Sequence, residues 1–76
     1  MKKHRAIAKK TLNEASLTNF WNIVKEAKIA TEDMDILRAR FVEGHSIVRI
    51  AIDKGYSVDK VQSTIQKCYD KVARLL

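Results

Sequence analysis

The uncharged polar side chains between residues 57 and 67 are the groups of this sequence best suited to specific chemistry. On a helical wheel at about 100° per residue, Ser63 and Gln66 lie opposite Val61, and Gln62 lies at the border of that outer side. Amide and hydroxyl groups form hydrogen bonds with the edges of DNA bases. The interval holds no acid followed four positions later by a base, the pair that is typical of a merely solvated helix. The pattern therefore favours a face that reads DNA.

Basic residues flank this segment. The chain has a net charge of +6; its first ten residues hold five bases and no acid (+5), and residues 46–76 hold six bases and three acids (+3). Each phosphate that such a residue neutralises releases counterions from DNA. We expect phosphate contacts from Lys2, Lys3, Arg5, Ser46, Arg49, Lys60 and Lys67. A solvated tail with no ligand is the alternative that a run of like charges leaves open.

Helices must position these side chains. Apolar residues recur at steps of three and four along the chain, which predicts amphipathic helices, and the sequence has no proline and two glycines. So few turn signals argue against a β-sandwich or barrel. We expect an all-α fold, a small bundle of four or five helices over residues 11–76, preceded by a basic tail over residues 1–10.

The two central helices are bounded by capping residues. Ser16 or Thr18 begins one of them and Thr31 begins the next, which ends at Gly44. Their apolar stripes place Phe20 and Trp21 in the core. The remaining members of the stripes are Leu17, Val24, Ala27, Met34, Leu37 and Phe41.

A pair of helices separated by a tight turn follows. Ser46 caps the first helix, Gly55 ends it in a conformation that glycine adopts easily, and Ser57 caps the second. The second helix has one apolar line that faces the core, made of Val58, Val61, Ile65, Cys68, Val72 and Leu75. The spacing predicts a helix-turn-helix at about residues 46–67.

The basic N-terminal segment has two interpretations. Lys2, Lys3 and Arg5 would lie in the minor groove if the segment is an arm. Alternatively, residues 5–15 form a helix with one apolar face, which serves packing or exchange between subunits. That face contains Ile7, Ala8, Leu12 and Ala15.

The run FVEGHSIVRIAIDKGYSVDKVQSTIQK resembles the helix-turn-helix of small bacterial regulators, namely plasmid repressors of the TrfB/KorA type and PapB-type regulators of adhesin operons. It also resembles region 4 of sigma factors, and the resemblance covers about residues 17–72. It implies that the chain binds an operator as a dimer. Positions that match the recognition helix, and hence the implied base contacts, are Ser57, Asp59, Gln62, Ser63 and Gln66. The chain departs from the pattern at Ile52, Lys54 and Thr64.

Other classes of function find little support in the sequence. It has no pairing of acid, base and nucleophile and no glycine-rich phosphate loop, so we expect no enzyme activity and no cofactor. His4, His45 and Cys68 lack the spacing of zinc ligands, so we expect no metal. No apolar run approaches the roughly 20 residues of a membrane span. These features predict a cytoplasmic, nucleoid-associated protein.

The sequence thus predicts sequence-specific binding of double-stranded DNA by a dimeric transcriptional regulator, a repressor of plasmid, phage or adhesin-operon type. The apolar side chains of Leu75 and Leu76 at the end of the chain also favour a homodimer, unless they pack on the first helices. Asp59 and Ile52 motivate an alternative, a protein-interaction module that binds RNA polymerase or another regulator. A sigma-like domain that recognises promoters is the other alternative.

Overall fold

The computed structural model describes the backbone of residues 2–76 and the side chains from Arg5 onward. This part of the chain contains α-helices and no β-strand, so the predicted all-α bundle is confirmed. The five helices are α1 (Lys2–Glu14), α2 (Leu17–Glu26), α3 (Thr31–Leu37), α4 (Ile47–Lys54) and α5 (Val58–Ala73).

The last helix forms the centre of the bundle. α5 packs against α1, α3 and α4, and its side chains Val61, Cys68 and Val72 are fully buried. Leu12 from α1 and Leu37 from α3 are buried in the same core cluster. Because these contacts occupy one side of α5, its opposite side faces solvent.

Serine side chains cap three helices. The Oγ atoms of Ser16, Ser46 and Ser57 accept hydrogen bonds from the peptide N–H three residues later, at 3.2, 3.1 and 3.1 Å. Each such cap stabilises its helix by about 1 kcal/mol. The caps predicted at Ser46 and Ser57 are confirmed, and Ser16, not Thr18, begins α2.

The start and end of α3 differ from the prediction. Ala30 is the N-cap and makes no side-chain bond, so Thr31 is already helical. At its other end α3 continues as a π-helical turn, Arg38–Val42, in which the N–H of Glu43 donates to the carbonyl of Arg38 at 3.0 Å. Gly44 follows with φ +73°, the left-handed conformation expected at this end.

Residues 2–10 belong to α1 and not to a separate tail. Ala8 and Leu12 are buried against the rest of the bundle, and this burial gives the segment the packing energy that an isolated helix lacks. Of the two interpretations of the basic segment, the helical one describes these residues. Ile7, which was predicted on the buried face, is 52% exposed.

Several apolar residues lie outside the core although the spacing placed them on buried stripes. Trp21 is 38% exposed, with its ring edge-on to Phe20 at a centroid distance of 5.3 Å. Leu17 and Val58 are the first residues of their helices, and Leu75 follows the end of α5. The neighbouring helices cover the middle of each helix and leave these terminal residues exposed. None of the helices within residues 2–76 combines the length and apolarity needed to cross a bilayer.

Candidate nucleic-acid interface

A short turn fixes α5 relative to α4. Gly55 has φ +72°, and two hydrogen bonds close the end of α4: from the N–H of Tyr56 to the carbonyl of Ala51 at 2.9 Å, and from the N–H of Gly55 to that of Ile52 at 3.3 Å. This is the Schellman arrangement, in which a left-handed residue lets the chain reverse and satisfies the last carbonyls. Ser57 then caps α5, so only three residues separate the two helices.

The outer face of α5 carries four of the five predicted base contacts. Asp59, Gln62, Ser63 and Gln66 are exposed and line one shallow, open depression. The side chains of the two glutamines and of Ser63 form no hydrogen bond with another described residue. Their donors and acceptors are therefore available to a ligand. The fifth residue, Ser57, uses its hydroxyl for the helix cap.

The predicted phosphate contacts on α4 and α5 have internal partners. Lys67 Nζ lies 3.1 Å from a carboxylate oxygen of Asp33, and the guanidinium of Arg49 lies 3.6 Å from the carboxylate four residues later. Lys60 Nζ lies 5.0 Å from the ring centre of Tyr56, a cation–π contact. The Arg49 pair is exposed on both sides and contributes little because water screens it. The Asp33 side chain is only 14% exposed, so water screens the Lys67 pair less.

Arg5 from α1 reaches the same depression. Its Nε and Nη2 donate to the two carboxylate oxygens of Asp70 at 2.8 and 3.0 Å. These bonds lower the pKa of Asp70 and raise that of Arg5. The sequence reasoning overlooked Asp70, although its position four residues after Gln66 places it on the same face.

Three predicted phosphate contacts lie outside the depression. Ser46 is the N-cap of α4, Arg49 lies in the first turn of α4, and Lys60 lies on α5 but does not line the depression. The phosphate contacts predicted for Lys2 and Lys3 concern side chains that lie outside the described ones.

Cys68 and Tyr69 belong to the core and not to this face. Both are buried, and burial raises the pKa of the Cys68 thiol to about 11. Thr64, one of the departures from the family pattern, is also buried, at 8% exposure.

α4 exposes two apolar residues. Val48 and Ile52 are separated by one helical turn and are 56% and 74% exposed. The two side chains therefore adjoin one another on the solvent-exposed side of α4. This surface is separate from the polar depression on α5.

Comparison with known protein families, with curated proteins and with solved structures found no match.

Proposed function

We propose that this protein binds double-stranded DNA and reads its sequence through the outer face of α5. The observation that carries the proposal is the cluster of exposed amide and hydroxyl groups at Gln62, Ser63 and Gln66, which have no bonds to other described residues. A helix fits the major groove of B-DNA, where each base pair presents a distinct pattern of donors and acceptors. Glutamine amides bond adenine through its N6 and N7 atoms.

Phosphate contacts orient α5 in the groove. Lys60 and Lys67 lie on the same helix as the amides, and the N-terminus of α4 at Ser46 offers peptide N–H groups to a phosphate. Arg49 would leave the carboxylate of Asp53 on α4 and contact a DNA phosphate instead. The net charge of +6 supports this proposal, because it attracts the protein to a polyanion before specific contacts form.

Binding of two copies to adjacent half-sites would make the protein a dimeric transcriptional regulator. A single α5 presents few groups to the bases, whereas two copies double the number of base pairs that are read. Occupation of a promoter then blocks RNA polymerase. Repression in a plasmid, phage or adhesin-operon setting accords with the resemblance to TrfB/KorA-type and PapB-type regulators.

The first prediction concerns the two glutamines. Gln62→Ala or Gln66→Ala should weaken binding to a preferred duplex by about 1–3 kcal/mol and leave binding to random duplex nearly unchanged, because an amide contributes only where a matching base is present. Lys67→Ala should weaken both duplexes alike. Fluorescence anisotropy at two salt concentrations measures this, with a preferred duplex enriched from a randomised pool.

Asn22→Ala is the matched control. It removes an exposed amide from α2, away from α5, and should change neither affinity. An unchanged ratio of specific to random affinity in both glutamine variants contradicts the assignment of α5 as the reading helix.

A second candidate function is favoured by the exposure of Val48 and Ile52. An apolar surface on α4 suits binding to RNA polymerase or another regulator. A regulator would bind this partner in addition to DNA, whereas a sigma-like domain would bind DNA only after it has bound polymerase. The responses to salt differ. DNA binding weakens steeply as salt rises, whereas an apolar contact with polymerase weakens little, and Ile52→Ser would reduce only the latter.

A further inference from the structure

We infer that Arg5 makes the outer face of α5 compatible with DNA by cancelling the charge of Asp70, and not by contacting phosphate itself. This inference rests on the proposed DNA binding. It assigns Arg5 as a positioning residue that acts through an acid on another helix. It also changes the role that the basic N-terminal sequence predicts for this residue.

Asp70 lies close to the proposed base contacts. It follows Gln66 by four residues, about 6 Å along the helix, and both side chains line the same depression. The electrostatic effect of a charge extends about 8 Å at physiological salt. An uncompensated carboxylate at this position would therefore repel the phosphates that border the groove.

Protonation cannot remove this charge at neutral pH. The hydrogen bonds from Arg5 keep the pKa of Asp70 below its ordinary value, so the carboxylate is ionised throughout the physiological range. Only a cation can cancel it. The two parallel bonds from the guanidinium, at 2.8 and 3.0 Å, hold that cation in a geometry that lysine cannot reproduce.

The net charge of the side chains that line the depression depends on the Arg5–Asp70 pair. Asp59 and Asp70 contribute two negative charges, and Arg5 and Lys67 contribute two positive charges. Asp33, which pairs with Lys67 at 3.1 Å, adds a third negative charge. The sum is therefore −1 with Arg5 and −2 without it. α1 therefore contributes to the interface through its effect on α5.

A double-mutant cycle on Arg5 and Asp70 tests the inference. Arg5→Gln should weaken binding to preferred and random duplexes alike, by roughly fivefold at low salt, since one repulsive charge is uncovered near the phosphates. Asp70→Asn alone should strengthen binding by a similar factor, because it removes one negative charge near the phosphates while Arg5 stays. In the double variant, affinity should return to within about twofold of wild type, because the uncovered charge is gone.

Two control variants separate the effect of a charge's position from the effect of the protein's total charge. Lys10→Gln removes a base from α1, and Glu14→Gln removes an acid; both residues lie outside the depression and pair with each other at 4.0 Å. Lys10→Gln should cost less than Arg5→Gln. Glu14→Gln should fail to restore the Arg5→Gln variant. Thermal melts of all variants show whether a loss of affinity follows from loss of fold.

If Arg5 acts only by cancelling charge, Arg5→Gln costs about the same affinity in the wild-type and Asp70→Asn backgrounds. If Arg5 leaves Asp70 and contacts phosphate directly, Arg5→Gln costs more in the Asp70→Asn background, where the guanidinium starts free. That result overturns the inference. Equal restoration by Asp70→Asn and Glu14→Gln also overturns it, because only net charge then matters.

The ion pair is also measurable without DNA. An NMR titration should show the pKa of the Asp70 carboxyl below its ordinary value in wild type and raised in Arg5→Gln. If the pKa is the same in both proteins, the inference fails while the proposed function stands. If neither wild type nor any variant binds duplex DNA, the proposed function fails and the inference fails with it.

Discussion

Cys68 shows how position on α5 determines the chemistry of a residue. It follows Gln66 by two residues, yet its side chain is fully buried and burial raises its pKa to about 11. The thiol is therefore protonated at neutral pH, and the thiolate is the species that reacts. Cys68 therefore packs as a small apolar core residue.

Reaction with a disulfide reagent tests this at pH 8. We expect Cys68 to react at least about a hundredfold more slowly in the native protein than in denaturant, since a free thiol has a pKa of about 8.5 and is far more ionised at that pH. Ser63→Cys in a Cys68→Ala background is the control, because residue 63 is exposed on the same helix. Equal rates for the two cysteines would show that α5 is rotated from the orientation described.

The Arg5–Asp70 pair could not be found from spacing alone. The two residues are 65 positions apart, and each belongs to a helix whose amphipathic pattern is complete without the other. Local patterns identify which face of a helix is polar. They do not reveal which charge from a distant helix lies beside it, because that depends on how α1 docks on the bundle.

At the scale of elements, Gly55 controls how α5 is presented. Its φ of +72° disfavours residues with a β-carbon, and an added Cβ would meet no atom within 4 Å. Gly55→Ala should therefore destabilise the fold by about 1–2 kcal/mol through backbone conformation alone. Gly55→Asn should cost less, because asparagine tolerates the left-handed region. Urea denaturation measures both, and equal costs contradict this explanation.

Elements with strong local signals were predictable from the sequence. Ser46, Gly55 and Ser57 determine the ends of α4 and α5 through hydrogen bonds within a few residues. The boundary that failed has no such signal. Ala30 caps α3 without a side-chain bond, whereas the prediction placed the start at Thr31, a residue type that is common at N-caps.

The candidate site was predictable to a similar extent. The wheel identified the exposed face at Gln62, Ser63 and Gln66, which depends only on the period of one helix. It missed the internal partners of the basic residues, such as Asp33 beside Lys67 at 3.1 Å. The partners of Lys67 and Lys60 come from α3 and from the turn before α5, and the period of α5 carries no information about them. The partner of Arg49 lies four residues later on α4, so local spacing could have identified it.

At the scale of the whole molecule, dimensions bear on the proposed dimer. The described chain has extents of 31 × 27 × 20 Å, whereas successive major grooves on one side of B-DNA are about 34 Å apart. Two copies that each place α5 in a groove one helical turn apart would thus lie side by side, within reach of contact through their side chains. A copy on the opposite side of the duplex would lose this contact.

The spacing of half-sites should therefore determine binding of the second copy. In an enriched duplex with two half-sites, insertion of five base pairs rotates one half-site by half a helical turn and should abolish cooperative binding, since the copies then lie on opposite sides of the DNA. Insertion of ten base pairs returns both half-sites to the same side of the duplex but separates the two copies by a further helical turn. The two copies should then bind independently of each other. Quantitative footprinting of each half-site measures the cooperativity. Retention of cooperativity after the five-base-pair insertion contradicts a dimer in which two copies make contact on one side of the duplex.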